Sequence, residues 1–402
     1  MSAFVQTGFI QARSRWRRLR VSVMFTAALA VLSGCGMFDS DEDAELKPAK
    51  LVDFQVEQHF DKLWSHGVGN GQGKLFYRLR PAVVGDRIFV AANNGNIEAF
   101  DRFSGKSQWD ADIDTAITAG VGAGGNLVAV ASQDGRIWGL NAASGEVLWK
   151  TPVNSEVLAA PQTDGDIVAV VTVDGHLKGL DAKTGAERWS YAATAPALTL
   201  RASGAPVIVN DIVIAGFANG RVIAINIENG KPVWDVRAGI PKGSSEIERL
   251  IDVASDLIVS EGNLFVVSYQ GSLSAIDVQS GRKLWERDAS SYAGIGESYS
   301  SIYVVDPKGG VTAFAKNNQG VRWEQTALAR RQLSGATAWQ DFVAIGDIEG
   351  YVHLMTQSDG HFVGRESVDS DGVRVQPIAI DDMLYVYGNS GKIAAYKLEA
   401  KK

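Results

Sequence analysis

One short pattern returns eight times along the 402 residues: an apolar run opened by Gly-Asp or a relative of it, a Gly turn, a second apolar run ending in Asp or Asn, then Gly and Trp. The first full copy runs from Gly85 through Gly95 and Asp101 to Gly105 and Trp109. The next copies centre on Asn141, Gly145 and Trp149, on Asp181, Gly185 and Trp189, on Asn226, Gly230 and Trp234, and on Asp277, Gly281 and Trp285. Two more are eroded: one reads Lys316, Gly320 and Trp323, and the other has Gly364 after Gly360 where the Trp belongs. The last, Asp382 to Tyr396, stops before any Trp. Self-similarity at a period of about 40 residues, with several strands per period, predicts an all-β chain folded as an eight-bladed β-propeller with four antiparallel strands per blade.

Segments such as Ile167 to Thr172 are β-branched and lack helical spacing, so they read as buried strands. Asp174-Gly175 supplies a hairpin turn, and a Gly tolerant of positive φ recurs at Gly95, Gly135, Gly220, Gly271, Gly350 and Gly391. Blades splay apart away from the axis, and a Trp on each outer strand fills the gap. Burying one indole stabilises by on the order of 4–6 kcal/mol at most. The last repeat lacks its outer strand, whereas residues 56–64 offer a Trp-bearing strand with nothing before it. The last blade is therefore expected to be closed by this N-terminal strand, which hides two sheet edges.

Upstream of the repeats, Arg13, Arg15, Arg17, Arg18 and Arg20 precede the apolar run Val21 to Leu32, which reads as a signal peptide over residues 1–34. It ends in Leu32-Ser33-Gly34-Cys35, which resembles the bacterial lipoprotein box, and Cys35, the single cysteine of the chain, is the expected lipidation site. By the same resemblance, Gly36 after the Cys implies sorting to the outer membrane, held by several acyl chains, palmitate among them. Residues 35–50, acidic and polar, read as a flexible tether, and residues 51–402 as the propeller. Removing residues 1–34 leaves 34 basic against 46 acidic residues, a net charge of −12, which disfavours nucleic acid.

Letter matches to catalytic motifs fail on context. Gly120 to Gly125 spells a dinucleotide fingerprint but leads into another strand, Asn126-Leu127-Val128, so no helix N-terminus receives a pyrophosphate. Gly67 to Lys74 is Gly-rich, yet Leu75 replaces the Ser or Thr of a P-loop. Asp39, Asp41 and Asp43 alternate as in calcium loops without the Gly at the bend. The histidines at 59, 66, 176, 353 and 361 have no metal-ligand spacing. Most acids sit at repeat-equivalent turns, where a carboxylate caps backbone N–H groups. No catalytic residue, cofactor or metal is expected.

Two connections outgrow their repeat. From the Trp to the residue after the next strand-opening Gly the ordinary interval is 17, as from Trp149 to Asp166, but it is 22 from Trp189 to Asp211 and 29 from Trp234 to Asn263. These insertions occupy equivalent loops of adjacent blades, so they project from one face, where binding is expected. The first contains Leu198-Thr199-Leu200-Arg201 and the second Arg249-Leu250-Ile251-Asp252.

The blades resemble those of pyrroloquinoline-quinone alcohol dehydrogenases. That resemblance implies the fold and not the activity, because this chain lacks the adjacent cysteines those enzymes carry against the quinone. Lipobox, acidic tether and eight degenerate repeats together resemble the BamB family, lipoproteins of the outer-membrane β-barrel assembly machine. The resemblance implies a non-enzymatic scaffold, lipid-anchored and facing the periplasm. It would bind the POTRA domains of BamA through Leu198, Leu200, Arg201 and Asp252, with unfolded outer-membrane proteins as further partners. Ala254 stands where the family has a second acid. The alternative is a periplasmic quinoprotein-type dehydrogenase relative, which a quinone absorbance band would reveal.

Overall fold

The computed structural model describes residues 47–74, 77–200, 203–317 and 320–399. Thirty-two strands pair there into eight four-stranded antiparallel sheets, with no helix among the described residues. Seven sheets use consecutive strands, at residues 82–112, 117–152, 162–192, 207–237, 258–288, 295–325 and 337–367, here blades 1 to 7. In blade 8 the strands Ile378–Ile380, Met383–Tyr387 and Lys392–Leu398 are completed by Phe60–Gly67. That strand pairs antiparallel from Phe60 opposite Leu398 to Gly67 opposite Lys392, with a bulge between Lys62 and Trp64. The ring closes as the sequence predicts, as an eight-bladed propeller.

The strand pattern follows from position in the blade. The second strand of blade 3, Ile167–Val171, is buried along its whole length because blades cover both of its faces, so it reads as a continuous apolar run. The outer strand Glu187–Ala192 buries only Trp189, and its other side chains face partly or wholly into water. Six of the outer-strand tryptophans reach across to the following blade. Trp149 Nε1 donates to Ala182 O at 2.8 Å, and its ring lies against Gly185, where an added Cβ would come within 2.6 Å of the indole. Gly185 also has φ +72°, so glycine is required there for conformation and for room. Trp64, Trp109, Trp189, Trp234 and Trp323 meet Gly105, Gly145, Gly230, Gly281 and Gly360 in the same way. The Trp and the Gly of the repeat thus serve one contact, made between neighbouring blades.

Three departures from the repeat matter. In blade 5 the positive φ of the hairpin falls on Gln270 (φ +50°) and not on Gly271 as expected. Gly271 stays because Ser268 Oγ would lie 2.1 Å from a Cβ there. In blade 7, where Gly364 replaces the Trp, the place is taken by incoming chain: a Cβ on Gly364 would meet Gln58 O at 2.8 Å. Trp339, from the inner strand of that blade, supplies the interblade bond instead, Nε1 to Asp382 O at 3.1 Å, with the Phe60 ring 5.7 Å away.

The third departure is where the ring-bound chain begins. Ala49, assigned from sequence to the tether, already donates its N–H to Ala329 O at 2.9 Å. Arg331 and Arg365 then bind the carbonyls of Ala49 and Val52 at 2.8 and 3.0 Å. Both guanidiniums are set by a buried pair, Asp347 and His353: Arg331 Nε donates to Asp347 Oδ2 at 2.7 Å, and Arg365 Nε to His353 Nδ1 at 3.2 Å. Burial lowers the His353 pKa despite the Asp347 carboxylate beside it, so the imidazole is neutral and can accept from Arg365.

Candidate functional site

In a blade whose strands run antiparallel from inner to outer, every connection from an outer strand to the next inner strand lies on the same face of the ring. The two long insertions are both of this kind. One spans residues 193–206 between blades 3 and 4, the other residues 238–257 between blades 4 and 5. They also touch: Leu200 N donates to Asp252 Oδ1 at 2.9 Å, and Ala205 N to Asp256 Oδ1 at 2.8 Å. Gly204 lies so close to the second loop that a Cβ would fall 2.0 Å from Ser255 O. The second loop is fastened in turn to the blades by Val253 N to Phe217 O and Tyr269 N to Asp252 O.

Burial divides this second loop in two. Ile251 to Ser255 is buried, and Asp252 is fully so. The expectation that Asp252 offers an acidic contact to a partner is therefore corrected: its carboxylate faces inward and holds the backbone of the first loop. Its Oδ2 is buried with no hydrogen-bond partner among the described residues. Loss of water raises the Asp252 pKa, and the Leu200 N–H opposes that rise only in part.

The outer half, 240–249, forms a short turn closed by Ser245 and Glu248. Glu248 N donates to Ser245 Oγ at 3.2 Å, and the Glu248 carboxylate accepts the N–H groups of Ser244 and Ser245 at 2.7 and 3.1 Å. This is the reciprocal capping of a Ser-x-x-Glu box. Those backbone donors lower the Glu248 pKa, so the carboxylate stays charged and the turn stays closed at neutral pH.

The ordered tip displays apolar side chains. Ile240 is 60% exposed and Ile247 67%, and on the neighbouring loop Leu198 is 42% exposed. Leu200 is half-buried. The site is thus an apolar rim of Leu198, Ile240 and Ile247 over a backbone fixed by Asp252 and Asp256. The two isoleucines were not singled out from the sequence, although each stands alone among Gly, Pro, Ser, Lys and Glu, where burial in a core is not available to it. Arg201 and Cys35 lie outside the described residues. Among the described residues no group of three or more His, Cys, Asp or Glu side chains is placed to hold a metal ion.

Comparison with known proteins places the chain in a family. A family profile described as "Outer membrane protein assembly factor BamB" matches residues 93–325. The outer membrane protein assembly factor BamB of Pseudomonas aeruginosa is 52% identical over 94% of this chain and 98% of its own length. The crystal structure of BamB from Moraxella catarrhalis superposes with a TM-score of 0.78 at 26% identity, covering 84% of this chain and all of that one. The quinohemoprotein alcohol dehydrogenase of Comamonas testosteroni shares the fold alone, with a TM-score of 0.67 at 13% identity over 84% of this chain and 76% of that one. With its repeats, its seam and its two joined loops described, the chain belongs to the BamB family of outer-membrane protein assembly factors.

Proposed function

We propose that this chain serves outer-membrane protein assembly as a non-enzymatic scaffold, anchored by lipid at Cys35 on the periplasmic side of the outer membrane. It grips the POTRA domains of BamA by the rim of Leu198, Ile240 and Ile247, with Leu200 and Arg201 as the further contacts that the family resemblance implies. One observation carries this reading: two loops of adjacent blades are fixed to each other by carboxylate-to-backbone bonds and hold three large apolar side chains out in water. A fold has no use for that arrangement, whereas a partner does, because exposed apolar anchors set in a polar rim supply most of the affinity of an interface. Asp252 contributes from behind, as a positioning residue.

The test is a photoreactive residue placed at position 198 or 247 in whole cells, followed by purification from solubilised membranes. Crosslinks to BamA are expected from both positions and from none on the opposite face of the ring. Recovery of the chain without BamA, or crosslinking spread evenly over both faces, would sink the assignment.

A further inference from the structure

The inner strands of the eight blades surround a central channel, which widens into a cavity of about 310 Å³. Its wall is apolar where the strands run, with Ala82, Ala123 and Ile378 facing it. At the end where the chain enters those strands the lining changes to Arg78, Arg80 and Arg374. Arg78 and Arg80 lie in the segment leading into blade 1, and Arg374 in the segment leading into blade 8. In a protein of formal net charge −7 this is a local concentration of positive charge.

Among the described residues one carboxylate faces the three guanidiniums, and it is already engaged. Asp256 takes Arg80 Nη1 at 3.2 Å through Oδ2 and Ala205 N at 2.8 Å through Oδ1. Arg78 donates to Tyr292 O and lies 5.8 Å from the centre of the Tyr292 ring, while Arg374 donates to Gln332 Oε1 at 3.0 Å. Asp256 thus pairs with Arg80, whereas the oxygens that accept from Arg78 and Arg374 in these contacts are neutral. Holding these charges together costs free energy that an incoming anion recovers.

We infer that this channel mouth is a second binding site, for an acidic extended peptide segment of a partner protein, with Arg78, Arg80 and Arg374 taking its carboxylates. The guanidinium fork matches a carboxylate in two parallel hydrogen bonds. The lining also selects a peptide over a small free anion, because below the arginines the wall offers apolar contact, which suits alternate side chains of an extended segment. The site borders the bases of the two long loops through Ala205, Ala254 and Asp256 and opens on the same face as the rim, since the segments that carry its arginines join an outer strand to the next inner one.

The test titrates the full-length chain with a labelled peptide alternating Glu and Val, and with its Gln and Val counterpart. The acidic peptide is expected to bind at least about ten-fold tighter, and raising salt to about 0.5 M should remove most of that advantage. Arg78→Gln together with Arg374→Gln should weaken it by about ten-fold or more, while Leu198→Ser leaves it unchanged. If the double variant fails to fold, a photoreactive acidic peptide on the parent chain decides the matter by labelling Ala82 or Ile378. Equal binding of both peptides, indifference to the double substitution, labelling elsewhere, or citrate binding as tightly as the peptide would each overturn the proposal.

Discussion

The junctions between blades and the junction between the two long loops solve the same problem with different chemistry. Between blades 2 and 3, Trp149 drives an apolar ring onto Gly185 and spends one N–H on Ala182 O, and the contact recurs around the molecule with the same residue types. Between the loops, buried Asp252 and half-exposed Asp256 each accept one backbone N–H, and nothing in the repeat foretells either. The first kind is held by buried area and survives changes in salt and pH. The second rests on a charge held in place without full solvation, so it fixes a backbone shape at little gain in stability. Ring contacts determine that the protein folds; loop contacts determine what its face looks like.

Substitutions that break this division are the sharpest test. Trp149→Ala should cost about 3–5 kcal/mol by chemical denaturation, by removing the ring and leaving a cavity between blades. Gly185→Val should be comparably harmful, since both the positive φ and the indole exclude the side chain. Asp252→Ala, which strands the Leu200 N–H, is expected to cost about 1–3 kcal/mol and to raise amide exchange in residues 198–200 while the blades keep their protection. Exchange rising throughout the ring instead would show that the two regions are not separable.

Smaller still on stability, Leu198→Ser and Ile247→Ser should change the unfolding free energy by no more than about 0.5 kcal/mol while, on the proposed function, depleting BamA from the purified complex. The faintest effect is a difference in pH dependence. Hydrogen bonds from Arg188 and Thr184 hold the Asp181 carboxyl well below its usual range, so its stabilisation is present at neutral pH. It is lost as the pH falls below about 4 toward the folded value. Asp252 is shifted up by burial, so its charged form is the costly one, and stability declines as the pH rises through its folded value. Measured against Asp181→Asn, the parent should lose ground below about pH 4, and against Asp252→Asn it should gain ground on acidification toward that pH.

The ring was legible because its signal is repeated: Trp, Gly and the turn acid recur in register, so each copy corrects the reading of the others. Legibility failed where one copy departs alone. Gly364 announces a missing Trp, but only the structure shows that Gln58, Phe60 and Trp339 replace it, since Trp339 lies on a different strand and the other two come from the far end of the chain. Gln270 takes a turn conformation that the adjacent Gly271 predicts for itself. At the candidate site, loop length told that the two insertions share a face, whereas side-chain direction did not follow from sequence. Asp252 and Ile247 sit in one insertion, and the acid turned out buried and the isoleucine exposed. In an isolated loop no periodicity relates residue number to orientation, so sequence alone does not tell the buried Asp from the exposed Ile.

The seam also has a mechanical meaning. Tension applied at the amino end meets Arg331 and Arg365 first and then runs along the axis of Phe60–Gly67, whose bonds to Lys392–Leu398 lie across that axis. Those bonds are loaded in shear and must fail together, instead of unzipping one at a time. A pull on the chain from that end would thus leave the blades closed until the whole strand slips.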